Sequence, residues 1–311
     1  MRVVTIPRYG GPEVLEIGER PVPEPGDGEV RLLVAAATVN PSDIGMRAGA
    51  NPARFKDAPM PHIPGWEAAG TVDATGAGTV LRPGERVAAI AAPYGPRGGA
   101  QAEYIVVSAD SVARIPDEMG FAEAATLPMN GLTVQLALDT LGLAPGATLA
   151  VTGAAGAVGG YTIELGALAG LRVIADAKPA DEELVRRLGA DVVVPRGPDM
   201  AAAVRRAVPD GVDALVDAAL IGPPALAAVR DGGQLIAVRP FAGDSERDIT
   251  ITLVLVATYV HNRTALERLV ELAATGRLTP RVADTLPVEQ IAEAHRRLEK
   301  GGVRGRLVVT F

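Results

Sequence analysis

The chain has no cysteine among its 311 residues, and it has only three histidines, His62, His261 and His295. Disulfides and thiolate metal sites are therefore excluded, because both require a cysteine sulfur. The histidines stand far apart, with no pair at the spacing that would place two imidazoles on one side of a helix. We expect no metal site, and we interpret each histidine as a surface or cleft-edge side chain.

The chain also lacks a basic excess and a long apolar run. It has 30 Lys and Arg against 37 Asp and Glu, a net charge of -7, whereas nucleic acid or an anionic membrane needs a concentrated basic surface. No apolar stretch approaches the roughly 18 residues of a membrane span. The N-terminus shows no basic segment followed by an apolar one, as a signal peptide would. We expect a cytoplasmic protein that binds neither nucleic acid nor membrane.

What remains is a globular composition with two successive patterns. A chain of 311 residues with 48% hydrophobic residues is long enough for two domains. The first part has the pattern of short strands between Gly and Pro turns. From Phe121 onward, helices alternate with short apolar strands, which is typical of a parallel α/β sheet. We expect domains over residues 1–117 and 118–258, and a C-terminal segment, 259–311, that returns to the first domain.

The segment 151–176 is the most informative, because a glycine-rich turn there joins an apolar strand to a predicted helix over 160–169, with a second strand after it. Such a turn lets backbone N–H groups approach a pyrophosphate, and the positive end of the helix faces the same anion. Ala154 replaces the first glycine of G-x-G-x-x-G, whereas Gly156 and Gly159 hold the close-approach and helix-packing positions. The predicted dinucleotide site consists of Gly153, Ala154, Ala155, Gly156, Ala157, Val158 and Gly159.

Seven segments in order carry a family resemblance: NPSD at 40–43, IPGWEAAG at 63–70, PGERV at 83–87, GGAQAEY at 98–104, GLT at 131–133, the turn at 153–159 and EAHRRL at 293–298. Together they resemble the zinc-free quinone oxidoreductase (zeta-crystallin-like) branch of the medium-chain dehydrogenase/reductases. The resemblance implies an α/β protein with a GroES-like β-rich catalytic domain and a Rossmann doubly wound parallel sheet. It also implies a substrate cleft between them and a reduced nicotinamide cofactor, usually NADPH.

Two positions separate this chain from the zinc-containing alcohol dehydrogenases of that superfamily. They carry Cys where this chain has Asn40, and His where it has Trp66. Glu67 keeps their glutamate, and we interpret it as structural, because a lone carboxylate cannot hold a catalytic metal. Alcohol oxidation without a Lewis acid loses its main alkoxide stabilisation. Reduction of an electron-poor acceptor is the chemistry that remains.

The resemblance assigns Asn40 to the active site, where its amide would donate to an acceptor carbonyl or to the nicotinamide ribose. The alternative is a turn former before Pro41. Ser42 falls at the hydroxyl position that relays protons in the alcohol dehydrogenases, although a Ser there can instead cap a helical turn. We expect Asn40 and Ser42 to be the catalytic residues, and the proton donor stays open between solvent and Ser42.

The substrate pocket is expected to differ from that of many quinone reductases in the branch. Those proteins place tyrosines after the Asn-Pro motif, near positions that hold Gly45 and Asn51 in this chain. Trp66 and Tyr94 are the candidates for an aromatic substrate surface in their place, although a Trp at such a position also fits a core role.

Five further residues are candidates for the cofactor. Thr133 resembles the threonine beside the nicotinamide ring, or it caps a helix. Arg306 stands where the superfamily has a basic residue that reaches the pyrophosphate, or it is a solvated strand-end charge. Asp176 would select the ribose of NADH, whereas Lys178 and Arg196 could flank the 2′-phosphate of NADPH. We expect NADPH, with NADH as the alternative.

The combined interpretation is direct hydride transfer, without metal, to a quinone or an α,β-unsaturated carbonyl as the small-molecule substrate. The alternatives are an enoyl or alkenal double-bond reductase of a biosynthetic pathway, and a non-catalytic NADP(H)-binding sensor or structural protein. The run ITITLVLVA at 249–257 has no charged residue, which is hazardous at an exposed sheet edge. We expect it to pair across a homodimer through the Rossmann sheets, with a fully buried strand as the alternative.

Overall fold

The computed structural model describes residues 1–50 and 52–311. The chain forms two compact units. Unit 1 consists of Met1–Met129, Val260–Gly276 and Pro280–Phe311, and unit 2 of Asn130–Tyr259 and Arg277–Thr279. Unit 1 extends past the boundary placed at 117, because the short helix that starts at Phe121 packs on its strands. Within the described ranges, no helix combines the length and apolarity needed to cross a membrane.

The strands in chain order are β1 (Arg2–Thr5), β2 (Glu16–Glu19), β3 (Glu29–Val39), β4 (Glu67–Thr75), β5 (Arg86–Ile90), β6 (Tyr104–Ser108), β7 (Val112–Arg114), β8 (Thr148–Thr152), β9 (Arg172–Ala177), β10 (Val192–Pro195), β11 (Val212–Asp217), β12 (Val229–Ala237), β13 (Thr250–Leu253), β14 (Val282–Pro287) and β15 (Arg306–Thr310). The α-helices are α1 (Pro41–Arg47), α2 (Phe121–Ala124), α3 (Pro128–Leu141), α4 (Ala157–Leu168), α5 (Glu182–Arg187), α6 (Met200–Ala207), α7 (Arg263–Ala274) and α8 (Ile291–Lys300). Short 3-10 helices lie at Pro12–Val14, Pro52–Phe55, Ala109–Ser111, Pro179–Asp181, Pro223–Ala228, Val256–Thr258 and Val288–Gln290.

Unit 1 is organised around β3, the longest of its strands, which alternates buried and more exposed residues along much of its length. The seven-stranded sheet has the order β14-β15-β3-β4-β5-β7, and β6 also pairs with β3. Because β15 runs antiparallel to β3 with Leu307 opposite Val39, the residues just outside this pair, Arg306 and Asn40, come close together. The C-terminal strand therefore supplies a side chain to the region after β3.

Unit 2 contains a six-stranded sheet of order β10-β9-β8-β11-β12-β13 in which every pairing is parallel. Its central strands are apolar on both faces: Val151 and Val173 pack into one core, and Ala150 and Ile174 into the other. This is the expected pattern for a parallel sheet covered on both sides. The strand order reverses between β8 and β11, which is where doubly wound sheets bind ligands at the carboxyl ends of their strands.

Some element bounds differ from the sequence prediction. Helix α4 begins at Ala157, because its first turn includes the last residues of the glycine-rich segment. Helix α7 was not predicted, although Asn262 caps it by accepting a hydrogen bond from Ala265 N at 2.9 Å. The run 249–257 yields only the short strand β13, since a 3-10 helix starts at Val256.

Candidate functional site

The glycine-rich turn of unit 2 is a tight connection from β8 to α4. Gly153 has φ +65°, a left-handed conformation that favours glycine, and its carbonyl accepts a hydrogen bond from Gly156 N at 2.9 Å. A Cβ on Gly159 would collide with the Gly153 carbonyl and lie 2.7 Å from Cα of Ala154. Gly159 is thus the position where the helix packs directly on the turn, as the sequence predicted.

The same turn presents backbone donors at its open side. Gly156 is the N-cap of α4, and Ala157, Val158 and Gly159 form the first helical turn, whose N–H groups have no intrahelical acceptor. Ala154 and Ala155 are buried beneath the turn. Since small residues leave room for a close backbone approach and the helix dipole adds positive potential, this segment fits a pyrophosphate.

Asp176, near the end of β9, supports the turn from below. Its Oδ1 accepts a hydrogen bond from Ala154 N at 3.0 Å, and the residue is 2% exposed. Burial raises the pKa of its carboxyl, while the Ala154 N–H and Arg196 oppose this effect. Within the described ranges its Oδ2 has no hydrogen-bond partner, and Arg196 Nε lies 3.8 Å from that oxygen. The carboxylate is therefore directed at the loop backbone.

Lys178 and Arg196 follow the ends of two neighbouring strands. Ala177 of β9 lies opposite Pro195 of β10, and Arg196 N donates to Ala177 O at 2.9 Å. Lys178 is exposed and the Arg196 side chain is 41% exposed. Both cations thus follow the carboxyl ends of neighbouring strands, and Arg196 lies beside the carboxylate that supports the turn.

Asp217, at the end of β11, is a site residue that the sequence reasoning missed. Its Oδ1 accepts from Thr152 Oγ1 at 2.7 Å and from Ile221 N at 3.0 Å, and its Oδ2 accepts from Gly222 N at 2.8 Å. Asp217 thereby fixes the loop after β11 against the end of β8. Its charge also raises the pKa of Asp176. The available signal was an acidic residue at the end of an apolar strand, VDALVD.

A buried polar cluster of unit 1 surrounds Arg306. Its Nη2 donates to Thr38 Oγ1 at 2.7 Å, to Asn40 Oδ1 at 2.5 Å and to Glu67 Oε1 at 3.0 Å. The Arg306 side chain is 5% exposed and that of Glu67 is fully buried. The alternative of a solvated strand-end charge is therefore wrong, because the register of β15 and β3 buries the guanidinium. Its predicted reach toward a pyrophosphate stays a prediction.

Glu67 connects several elements of unit 1. Its Oε1 accepts from Thr38 Oγ1 at 2.6 Å as well as from Arg306, and its Oε2 accepts from Met129 N at 2.6 Å. Burial raises the pKa of this carboxyl, and the Arg306 charge lowers it. These three donors all belong to unit 1, which agrees with a structural role for Glu67.

Asn40 and Asp43 form the start of α1. Asn40 Nδ2 donates to Thr38 Oγ1 at 3.2 Å, and Asn40 N donates to Asp43 Oδ2 at 2.8 Å. Asp43 Oδ1 also accepts from Gly65 N at 3.1 Å, and burial raises the pKa of Asp43 to about 6. The helix N-cap is Asn40, so the interpretation of Ser42 as a cap is wrong. The Ser42 hydroxyl is buried without a hydrogen-bond partner in the part of the chain that the structure describes.

The aromatic candidates meet in unit 1. Trp66 is 4% exposed and contacts Tyr94 edge to face, with ring centroids 5.1 Å apart and an interplanar angle of 85°. Tyr94 also packs against Phe55 at 5.3 Å. Of the two positions compared with tyrosines of the branch, Gly45 lies inside α1 and Asn51 lies outside the described residues.

Thr133 lies inside α3, which begins at Pro128, so the interpretation of this residue as a helix cap is wrong. Its side chain is buried. Across residues 1–50 and 52–311, no group of three or more His, Asp or Glu side chains could hold a metal ion. The structure therefore brings Asp176 and Arg196 to the turn in unit 2, and in unit 1 it brings Asn40 to Arg306 and Trp66 to Tyr94.

Two family models match the chain. The model described as Alcohol dehydrogenase GroES-like domain matches residues 26–117, and the model described as Zinc-binding dehydrogenase matches residues 188–309. The NADPH-dependent alkenal/one oxidoreductase of Arabidopsis thaliana, a chloroplastic protein, is 30% identical over 97% of this chain and 77% of its own length. A chloroplastic quinone oxidoreductase of Triphysaria versicolor is 29% identical over 99% of this chain and 98% of its own length.

Among solved structures, that of an NAD-dependent alcohol dehydrogenase is 32% identical, with a TM-score of 0.87 over 100% of both chains. These matches confirm the fold class, a GroES-like domain combined with a Rossmann parallel sheet. The chain belongs to the medium-chain dehydrogenase/reductase family, in its quinone oxidoreductase branch.

Proposed function

We propose that this protein is an NADPH-dependent reductase that delivers hydride to a quinone or an α,β-unsaturated carbonyl without a metal ion. The proposal is carried by the residues that stand at the two positions where zinc-containing relatives have metal ligands. Asn40 is hydrogen-bonded to Arg306, and Trp66 packs on Tyr94. Neither side chain is available as a metal ligand, so the remaining chemistry is reduction of an acceptor that is already electron-poor.

Unit 2 is the proposed cofactor-binding unit. The backbone of residues 153–159 would hold the pyrophosphate, and a bound reduced nicotinamide supplies the hydride. Lys178 and Arg196 would flank the 2′-phosphate, because they directly follow the ends of β9 and β10 and Arg196 lies near the supporting carboxylate. Asp176 Oδ1 is engaged with Ala154 N, and Arg196 Nε, 3.8 Å from Oδ2, offsets the repulsion that its carboxylate would exert on the phosphate. The alkenal-reducing relative is NADPH-dependent by name.

The two acceptor classes correspond to the names of different relatives, one an alkenal/one oxidoreductase and one a quinone oxidoreductase. An acceptor panel separates them. Purified protein with NADPH is assayed at 340 nm against a simple benzoquinone, a medium-chain enone and a saturated ketone of the same length. We expect oxidation of NADPH with the first two and none with the ketone. No oxidation with any acceptor would refute the proposed function.

The cofactor assignment is tested with Lys178→Ala. Loss of the charge-assisted contact should raise the KM for NADPH by about tenfold, or about 1.4 kcal/mol, and leave NADH nearly unchanged. Lys300→Ala is the matched control, since this lysine ends α8 in unit 1. Asp176→Ala should weaken both cofactors, because it removes the support of the turn. A wild-type preference for NADH, or an Asp176→Ala defect confined to NADH, would overturn the choice of NADPH.

We further propose a homodimer through β13. This strand is the edge of the six-stranded sheet, pairing with β12 on one side. Its residues are half-buried or exposed, and Leu253 is 40% exposed. The alternative of a fully buried strand is therefore wrong. An apolar edge strand is a template for pairing with another chain, and a second copy offers the same strand in a self-complementary arrangement.

A further inference from the structure

The two residues that the sequence assigned to catalysis are enclosed within unit 1. The Asn40 side chain is fully buried, its Oδ1 accepts from Arg306 and its Nδ2 donates to Thr38. The Ser42 hydroxyl is buried as well. Reduction of a conjugated carbonyl places negative charge on its oxygen, which needs a nearby hydrogen-bond donor. That donor must be a group with a free O–H or N–H.

Tyr94 is held in place by its ring. Trp66 meets it edge to face with centroids 5.1 Å apart, Phe55 packs at 5.3 Å, and the Arg54 guanidinium lies 5.0 Å from the ring centroid. Aromatic and cation contacts of this kind fix the direction of the phenol O–H without involving the oxygen. Three side chains therefore hold the ring of this partly buried residue.

The Tyr94 hydroxyl is left free by these contacts. In the part of the chain that the structure describes, the ring makes aromatic and cation contacts and the hydroxyl makes no hydrogen bond, although a buried phenol usually finds a partner. Burial raises the pKa of this phenol, the Arg54 charge opposes that effect, and the Asp43 carboxylate adds to it. The group therefore keeps its proton at neutral pH. The same Asp43 carboxylate accepts the hydrogen bond from Asn40 N.

We propose that Tyr94 is the proton donor of the reaction, a role that rests on the proposed function. Hydride, supplied from the reduced nicotinamide, adds to the β-carbon of the conjugated carbonyl, and the π-electron pair moves onto the carbonyl oxygen. The Tyr94 O–H breaks, and its proton passes to that oxygen, giving the enol of the saturated product. The phenolate then regains a proton from solvent. Tyr94 takes this position next to Trp66, the residue that stands where the zinc-containing relatives carry a histidine.

Tyr94→Phe tests the proposal, since it removes the hydroxyl and keeps the ring. We expect kcat with the enone to fall about 100-fold or more, within the range for a lost general acid. The Kd for NADPH, measured by fluorescence titration without acceptor, should not change. Wild-type kcat should fall at alkaline pH as the phenol ionises, and this limb should be absent in the variant. Tyr104→Phe, on β6 of the same unit and under Arg31, is the matched control and should retain wild-type turnover.

The outcomes separate the two proposals. If wild-type protein reduces the enone and Tyr94→Phe does so within threefold, Tyr94 is not the donor and the proposed function stands. A parallel loss of NADPH affinity, or an alkaline limb that persists in the variant, also overturns the assignment of Tyr94, because a structural defect would produce it. Unfolding followed by Trp66 emission checks that the variant is folded. If the wild-type protein oxidises NADPH with none of the acceptors in the panel, both proposals fail.

Discussion

The strongest prediction concerns the buried ion pair between Arg306 and Glu67. Arg306→Met keeps much of the side-chain volume and removes the guanidinium. The variant loses the hydrogen bonds from Nη2 to Thr38, Asn40 and Glu67, at 2.7, 2.5 and 3.0 Å. Glu67 then remains as a fully buried carboxylate without a neutralising charge at this position.

The magnitude follows from this burial. Breaking a buried pair by removing one partner costs about 3–5 kcal/mol of unfolding free energy, because the other charge stays uncompensated. Removing both charges avoids that penalty. We therefore expect Arg306→Met/Glu67→Gln to be more stable than Arg306→Met by about 2 kcal/mol, although the Glu67 bond from Met129 N is weakened in it.

The defect should also depend on pH. Burial already raises the pKa of Glu67, and Arg306 is the largest influence that lowers it, so its removal raises this pKa further. A carboxyl whose folded pKa lies above its unfolded value contributes stability that is present below the unfolded pKa and lost as pH rises through the folded one. The loss of unfolding free energy in Arg306→Met should therefore be smaller at pH 5 than at pH 8. Adding Glu67→Gln to this variant should abolish the difference between the two pH values.

Trp66 supplies the assay. It is the only tryptophan of the chain and it is buried in unit 1, so urea unfolding followed by its emission reports on that unit. Arg97→Met is the control, because the Arg97 pair with Glu29 is partly exposed and such pairs contribute about 0–1 kcal/mol. A loss of less than about 1 kcal/mol in Arg306→Met, or the same loss at both pH values, would refute the reasoning.

Three further predictions are independent of this pair. Gly159→Ala should lower NADPH affinity by about tenfold or more, since the added Cβ collides with the Gly153 carbonyl. In Gly166→Ala, a change in the same helix, the added Cβ meets only side chains, so this control should lose less NADPH affinity. Equal affinities of the two variants in a fluorescence titration would contradict this. Turnover should survive exhaustive chelation, whereas a stoichiometric zinc required for activity would contradict metal independence. Light scattering at micromolar concentration should give a dimer, and Leu253→Lys on β13 should shift it toward monomer; a wild-type monomer would remove the claim.

The sequence predicts the Rossmann unit well because its signals are local. A glycine that needs a left-handed φ, such as Gly153, and one that contacts backbone, such as Gly159, are constrained by neighbours a few residues away. The strand-turn-helix pattern around them therefore indicates both the fold and the binding segment. The role of Asp176 is not local in this sense. Its bond to Ala154 N depends on the pairing of β8 with β9. The sequence alone therefore did not decide whether Asp176 selects NADH by binding its ribose or lies next to the 2′-phosphate of NADPH.

The cluster in unit 1 was harder to predict because its members are distant in the chain. Arg306 and Asn40 are brought together by the antiparallel pairing of β15 with β3, and the Glu67 contact depends on β3 with β4. A strand-end arginine has the same local sequence pattern whether it is solvated or buried. For the same reason, the partners of Asp43 and the free hydroxyl of Tyr94 could not be inferred from spacing.

The buried arginine also explains how this chain can keep the glutamate of its zinc-containing relatives without their metal. A fully buried Glu67 carboxylate requires a positive charge or a proton, because an isolated charge in a protein interior is strongly unfavourable. Arg306 supplies that charge at 3.0 Å, and it also donates to Thr38 and to Asn40, the residue at the position where those relatives carry a cysteine. The guanidinium therefore neutralises the Glu67 carboxylate and holds the Asn40 side chain in place. Trp66, at the histidine position of those relatives, is buried and packs on Tyr94, so the reduction still requires a proton donor.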